Sequence, residues 1–133
     1  MKYSQATDYA LHAMLYLVTS APDKPVVGVQ LLAEKLGVSQ TYLSKLMTKL
    51  VKAGLIQSSP GANGGYRLKH KQEDISFLDI IRAIEGTASL FECSFNHGTE
   101  CLIQQVVIDA ERQMEQYLES KKIADLANVR KME

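Results

Sequence analysis

Val29-Gln30-Leu31-Leu32-Ala33-Glu34-Lys35-Leu36, then Gly37-Val38-Ser39, then Gln40-Thr41-Tyr42-Leu43-Ser44-Lys45-Leu46-Met47-Thr48-Lys49-Leu50-Val51-Lys52-Ala53 and Gly54, reads as two apolar-periodic segments joined by a tight turn. That pattern predicts a helix-turn-helix. Gly37 is suited to the left-handed conformation that ends the first helix, and Ser39 to capping the second through its side-chain oxygen. In the second helix Leu43, Leu46, Met47, Leu50 and Val51 recur at three- and four-residue steps and form the inward face. Gln40, Thr41, Ser44, Lys45, Thr48, Lys49 and Lys52 fall on the other side.

Two short strand candidates follow, Leu55 to Ser58 and Tyr66 to Lys69, flanking the turn-rich Ser59-Pro60-Gly61-Ala62-Asn63-Gly64-Gly65. A hairpin placed after a helix-turn-helix makes a winged helix. Between Ser39 and Gln72 there are six basic side chains (Lys45, Lys49, Lys52, Arg67, Lys69, Lys71) and no acidic one. A helix that enters a major groove needs short polar groups near its N-terminus to reach base edges, with cations beside them for the phosphates. Gln40, Thr41 and Ser44 suit the first task; Lys45, Lys49 and Lys52 suit the second. The glycine-rich tip would bring backbone amides and Asn63 close to a sugar-phosphate backbone or minor groove.

Outside this stretch, Ser4 to Thr19 reads as a helix with Ser4 as N-cap, followed by a loop holding Pro22 and Pro25. Ile75 to Glu85 reads as another helix, with Ser76 and Asp79 at capping-box spacing and Gly86 closing it. Residues 87–101 show no period. Leu102 to about Ser120 is the longest helix candidate, carrying Ile103, Val106, Val107, Ala110, Met114, Tyr117 and Leu118 as one apolar stripe, with Glu111 among its polar positions. The tail is expected to make only a short turn around Ile123 and Leu126 before fraying. The expected fold is therefore mainly α with a small β-hairpin, a winged helix-turn-helix plus a long dimerisation helix. The stripe spans roughly 25 Å at about 1.5 Å per residue, and the earlier helices already close a core, so a second copy is its expected cover.

The 133 residues, 46% hydrophobic and 23% charged, suit a globular chain with one real core. Residues 1–75 hold nine Lys/Arg against five Asp/Glu, and 76–133 hold six against ten. That asymmetry predicts a DNA-binding domain over 1–75 and a linker helix, cysteine loop and dimerisation helix over 76–133. No apolar run reaches the ~18 residues of a membrane span, and the first residues lack signal-peptide character, so a cytoplasmic location without membrane partners is expected. Enzymatic motifs are missing: Gly61 to Gly65 joins two strands instead of opening a helix, and His12, His70 and His97 share no metal-ligand spacing. A winged helix that docks another protein, without DNA, is the alternative reading.

Leu32 through Lys45, Ala53-Gly54-Leu55-Ile56, and Gly61-Ala62-Asn63-Gly64-Gly65-Tyr66-Arg67-Leu68 together resemble the family of iron–sulfur and redox-linked winged-helix regulators that includes IscR, NsrR and CymR. Thr7 to Leu11 and Ile75 to Gly86 extend the resemblance over nearly the whole chain. It implies a homodimeric regulator of transcription, usually a repressor, that binds double-stranded DNA. The residues expected at DNA are Lys2, Ser39, Gln40, Thr41, Ser44, Lys45, Lys49, Gly61, Asn63, Gly64, Gly65, Tyr66 and Arg67. Cluster-binding members carry three cysteines in the loop before the long helix. Cys93 and Cys101 match the first two and Asp8 matches a further ligand position, but the third cysteine position is Val107. Two thiolates and a carboxylate leave an iron–sulfur cluster short of its usual ligands. His97, midway between the cysteines, would complete a mononuclear metal site. A thiol/disulfide sensor, inert thiols and a small-molecule effector are the other readings.

Overall fold

A computed structural model of the chain describes residues 3–69, 74–87 and 101–132, with side chains as far as residue 127. Six helices and one hairpin follow in the order α1 (Gln5–Ser20), α2 (Val29–Leu36), α3 (Gln40–Lys52), β1 (Ile56–Ser59), β2 (Gly65–Leu68), α4 (Phe77–Glu85), α5 (Leu102–Ser120) and α6 (Ile123–Met132).

The expected caps are in place. Ser4 Oγ accepts from the Thr7 N–H at 3.4 Å and Ser39 Oγ from the Tyr42 N–H at 3.1 Å. Ser76 and Asp79 form the reciprocal capping box at the start of α4, with both hydrogen bonds at 3.0 Å. Gly37 takes φ 70°, ψ 33° and closes α2, leaving only Val38 and Ser39 to complete the turn into α3.

β1 and β2 pair antiparallel in the register Ile56↔Leu68, Gln57↔Arg67, Ser58↔Tyr66 and Ser59↔Gly65. A third segment joins them: the Val27 N–H donates to the Tyr66 carbonyl, and the Tyr66 N–H to the Val27 carbonyl, both at 2.9 Å. The wing is thereby stitched to the residues that lead into α2.

Ala10, Met14, Leu17 and Val18 of α1 meet Leu32 of α2, Leu43, Met47 and Leu50 of α3, Ile56 of β1 and Ile80 of α4 in one buried cluster. Each large side chain so buried contributes about 1.5–3 kcal/mol of transfer free energy. The tail departs from expectation. Instead of a frayed turn around Ile123 and Leu126, residues 123–132 form α6, which packs along α1 and adds Ile123, Ala124 and Ala127 to the same cluster. Its entry is fixed by backbone pairing: Phe77 N–H to the Lys121 carbonyl at 2.9 Å and Ile123 N–H to the Ile75 carbonyl at 3.0 Å. The core thus draws on residues from both sides of position 75. Among the described residues, no helix is long and apolar enough to cross a membrane.

Candidate nucleic-acid interface

α3 presents one face to the core and leaves the other open. Gln40, Thr41, Lys45, Thr48, Lys49 and Lys52 are exposed, and Ser44 is half-buried. Ser39 serves the helix first, its hydroxyl already engaged on the Tyr42 amide. Tyr42 is a residue that the periodicity alone did not single out. It stands 36% exposed beside Thr41 and Lys45, and its ring meets that of Tyr9 edge-on, with centroids 5.9 Å apart. An aromatic held this way loses little further entropy on contact with a ligand. The signal that could have found it is the pairing of two tyrosines on helices that must cross.

The wing splits its glycines between two tasks. Gly61 has φ 96° and open space where a Cβ would point, so the turn geometry alone requires it there. A Cβ on Gly64 would sit 2.0 Å from the Ser59 carbonyl oxygen, and one on Gly65 would sit 2.2 Å from that of Val27. Backbone crowding inside the protein therefore requires both. Asn63 and Arg67 are exposed, Arg67 directly across the strand pair from exposed Gln57. Tyr66 is half-buried and packs on the core. Lys2 lies outside the described residues.

The start of α1 is tied to the end of α4 by Glu85. Its Oε2 accepts from the Ser4 N–H at 2.7 Å, the Ser4 hydroxyl at 3.0 Å and the buried Thr7 hydroxyl at 2.5 Å. The Thr7 hydroxyl above all, then the Ser4 amide, hold the Glu85 carboxyl below its ordinary value, and the Lys49 charge acts in the same direction.

Of the expected sensor residues the structure describes Cys101 and Asp8. Cys101 is buried at the head of α5, where its Sγ caps the helix by accepting from the Gln104 N–H at 3.4 Å. Asp8 is exposed on α1, with Oδ1 3.2 Å from His12 Nδ1. Cys93 and His97 lie outside the described residues. Among the described residues no three His, Cys, Asp or Glu groups are disposed to hold a metal ion.

The apolar stripe of α5 divides in two. Leu102, Ile103, Val106 and Tyr117 stand 74, 70, 69 and 62% exposed, and Ala110 is exposed with them. Val107, Met114 and Leu118 are half-buried, Met114 accepting a 3.8 Å contact from the Tyr3 hydroxyl. Glu111, placed by pattern among the polar positions, is instead buried. Leu102, Ile103, Val106 and Ala110 thus form an exposed apolar face over the first turns of α5.

This geometry agrees with the relationships of the chain. The family Rrf2, described as iron-dependent transcriptional regulators, matches residues 3–129. Protein rrf2 of Nitratidesulfovibrio vulgaris is 33% identical over 131 residues, covering 95% of this chain and 87% of that protein. A further relative, YffB of Lactococcus lactis, is 38% identical over 92 residues, 69% of this chain and 58% of its own length. The structure of CymR, the global cysteine regulator of Bacillus subtilis, superposes with a TM-score of 0.82 at 30% identity, covering 97% of this chain and 98% of that one. Other relatives carry the names NsrR and IscR. The expected resemblance and the mainly helical fold with one hairpin both hold, and the docking-only alternative finds no support. The chain belongs to the Rrf2 family of DNA-binding, helix-turn-helix transcriptional regulators.

Proposed function

We propose that the chain works as a homodimeric repressor in the cytoplasm, without enzymatic activity. Two copies of α3 enter successive major grooves, and the α5 faces hold the copies together. The observation that carries this reading is the acid-free run through α3 and the wing, together with an exposed apolar face on α5 of the same chain. Gln40, Thr41 and Ser44 read bases. Lys45, Lys49, the wing residues Asn63 and Arg67, and Lys2 meet phosphates, while Gly61, Gly64, Gly65 and Tyr66 shape the wing. Ile103, Val106 and Ala110 lead the dimer contact, with Val107, Met114, Tyr117 and Leu118 at its margins. Residues 1–75 then supply the DNA contacts and 76–133 the assembly and signal. Fluorescence anisotropy with the chain's own upstream DNA tests this. Affinity should fall steeply between roughly 50 and 200 mM salt, as release of several counterions requires. Salt-independent binding, or binding of no fragment, would refute it.

The position of Cys101 favours a second reading, of the signal. Oxidation of the thiol that caps α5 by peroxide, giving a sulfenic acid and water, adds an oxygen to a buried group and so alters the cap of the first turn, next to Leu102, Ile103 and Val106. Cys101→Ser keeps a capping oxygen but cannot follow the same chemistry. Its DNA affinity should stay constant under peroxide while that of the parent changes. Equal responses would exclude this reading.

A further inference from the structure

The exposed apolar groups of α5 reach from Leu102 and Ile103 at its head to Tyr117 near its tail. Tyr117 also borders a groove of about 280 Å³ at the junction of α5 and α6, where Phe77, Leu118, Lys121 and exposed Leu126 are among the lining residues. We infer that this groove seats the head of α5 from a second copy, in an antiparallel pairing whose two-fold axis passes at Ala110. The inference deepens the dimer reading above and rests on it.

The spacing of the face selects that register. A two-fold axis perpendicular to α5 maps each position onto the one equally far beyond the axis. With the axis at Ala110, Ile103 falls level with Tyr117 of the second copy, Leu102 with Leu118 and Val106 with Met114. Each exposed apolar side chain then meets an apolar counterpart. An axis at Val106 would instead set Ile103 against Asp109 and leave Tyr117 without a mate on α5. Ala110 is exposed and small, which lets two helix axes approach to the near end of the ~8–10 Å range of packed helices. A parallel pairing would align the same face, but it sets the positive ends of two helix dipoles side by side.

Area brings in the groove. A standard interface takes about 800 Å² and roughly 20–30 residues from each partner, several times what the exposed side chains of one helix offer. Surface flanking the face must therefore join the contact, and the groove is apolar surface continuous with it through Tyr117. In this register Ile103 arrives about 10 Å along the helix from the axis, at ~1.5 Å per residue, level with that groove. Lys121 Nζ lies 5.0 Å from the centre of the Tyr117 ring and steadies the aromatic beside it. α6 then serves the core of its own copy and the contact with the other. The Cys101 cap, immediately before Leu102, comes to lie at the boundary between copies.

Cross-linking with a short bis-maleimide tests the register, in full-length chains carrying Cys93→Ser and Cys101→Ser. Ala110→Cys alone should give a covalent dimer. Ile103→Cys alone and Tyr117→Cys alone should not, whereas the two mixed and left to exchange subunits should. Covalent dimers from each of the single variants Ile103→Cys and Tyr117→Cys, or none from the mixture, overturn the register. Leu126→Asp, a change in the groove but outside α5, tests the seat. Its dimer dissociation constant should rise at least about tenfold, with the unfolding midpoint at low concentration nearly unchanged; Leu126→Ser replaces it if the acidic variant does not fold. Undiminished dimerisation overturns the seat and leaves the groove to a partner of another kind. Light scattering separates these results from failure of the dimer reading. A monomeric parent overturns both, while a dimeric parent with the wrong cross-links overturns the register alone.

Discussion

Glu85 is a single carboxylate on which the seating of two helices converges. It receives three hydrogen bonds from Ser4 and Thr7, and the charged form is the better acceptor, so its pKa lies below the ordinary value. For a carboxylate lowered in the folded state, the added stability is fully present above the unfolded pKa of about 4.3 and is lost as pH falls through the folded value. Comparing parent and Glu85→Gln by urea denaturation should therefore show a gap of about 1–2 kcal/mol at neutral pH. The gap should shrink steadily below about pH 4.3; a constant gap down to pH 3 would show that packing, not charge, sets Glu85's contribution. At the interface, Lys45→Ala and Lys49→Ala should weaken DNA binding almost equally on all sequences and each reduce the salt slope by about one. Gln40→Ala should instead cost on the order of 1–3 kcal/mol on the preferred site and little elsewhere. Salt titrations on specific and scrambled duplexes distinguish the two behaviours.

The wing shows how one element can be legible in outline and opaque in cause. Its strands, turn and exposed Arg67 follow from residue types between Leu55 and Lys69. The reason for Gly65 does not, because Val27 sits 38 positions earlier in a proline-flanked loop with no strand periodicity. Only the folded chain brings the Val27 carbonyl to the place a Cβ would occupy. Gly65→Ala should therefore cost about 2–4 kcal/mol by forcing the Val27 pairing apart, whereas Gly61→Ala, facing open space, should cost about 1 kcal/mol for its positive φ alone. Thermal or urea unfolding of the two variants checks the ratio, and near-equal losses would count against the close-approach explanation. The same reasoning covers the other gaps. α6 carries a weak apolar period, since small Ala124 and Ala127 fit against α1 without announcing a face. Glu111 follows the helical period onto the side of α5 turned towards α4, and residue type alone gave no hint that a carboxylate would be buried there. Caps, by contrast, are local, and Ser4, Ser39 and Ser76 were legible because their partners lie three residues away.

At the scale of the whole molecule, one chain carries one recognition helix, and one such helix covers too few base pairs to pick a site from a genome. In the proposed dimer the exposed face of α5 supplies the remedy. Leu102, Ile103 and Val106 occupy its first turns, outside the core cluster, so burying them against a two-fold mate gains transfer free energy without disturbing the monomer. A charge at the centre of that face would have to be desolvated in the dimer but stays in water in the monomer. Val106→Asp is therefore expected to leave the fold and its unfolding midpoint at low concentration nearly unchanged. Light scattering should show it halved in mass at micromolar concentration. Its affinity for a palindromic site should fall by at least about a hundredfold, while its affinity for a single half-site remains close to that of the parent chain. A Val106→Asp protein that stays dimeric would move the assembly surface away from α5, and with it the spacing at which the two copies of α3 meet the DNA.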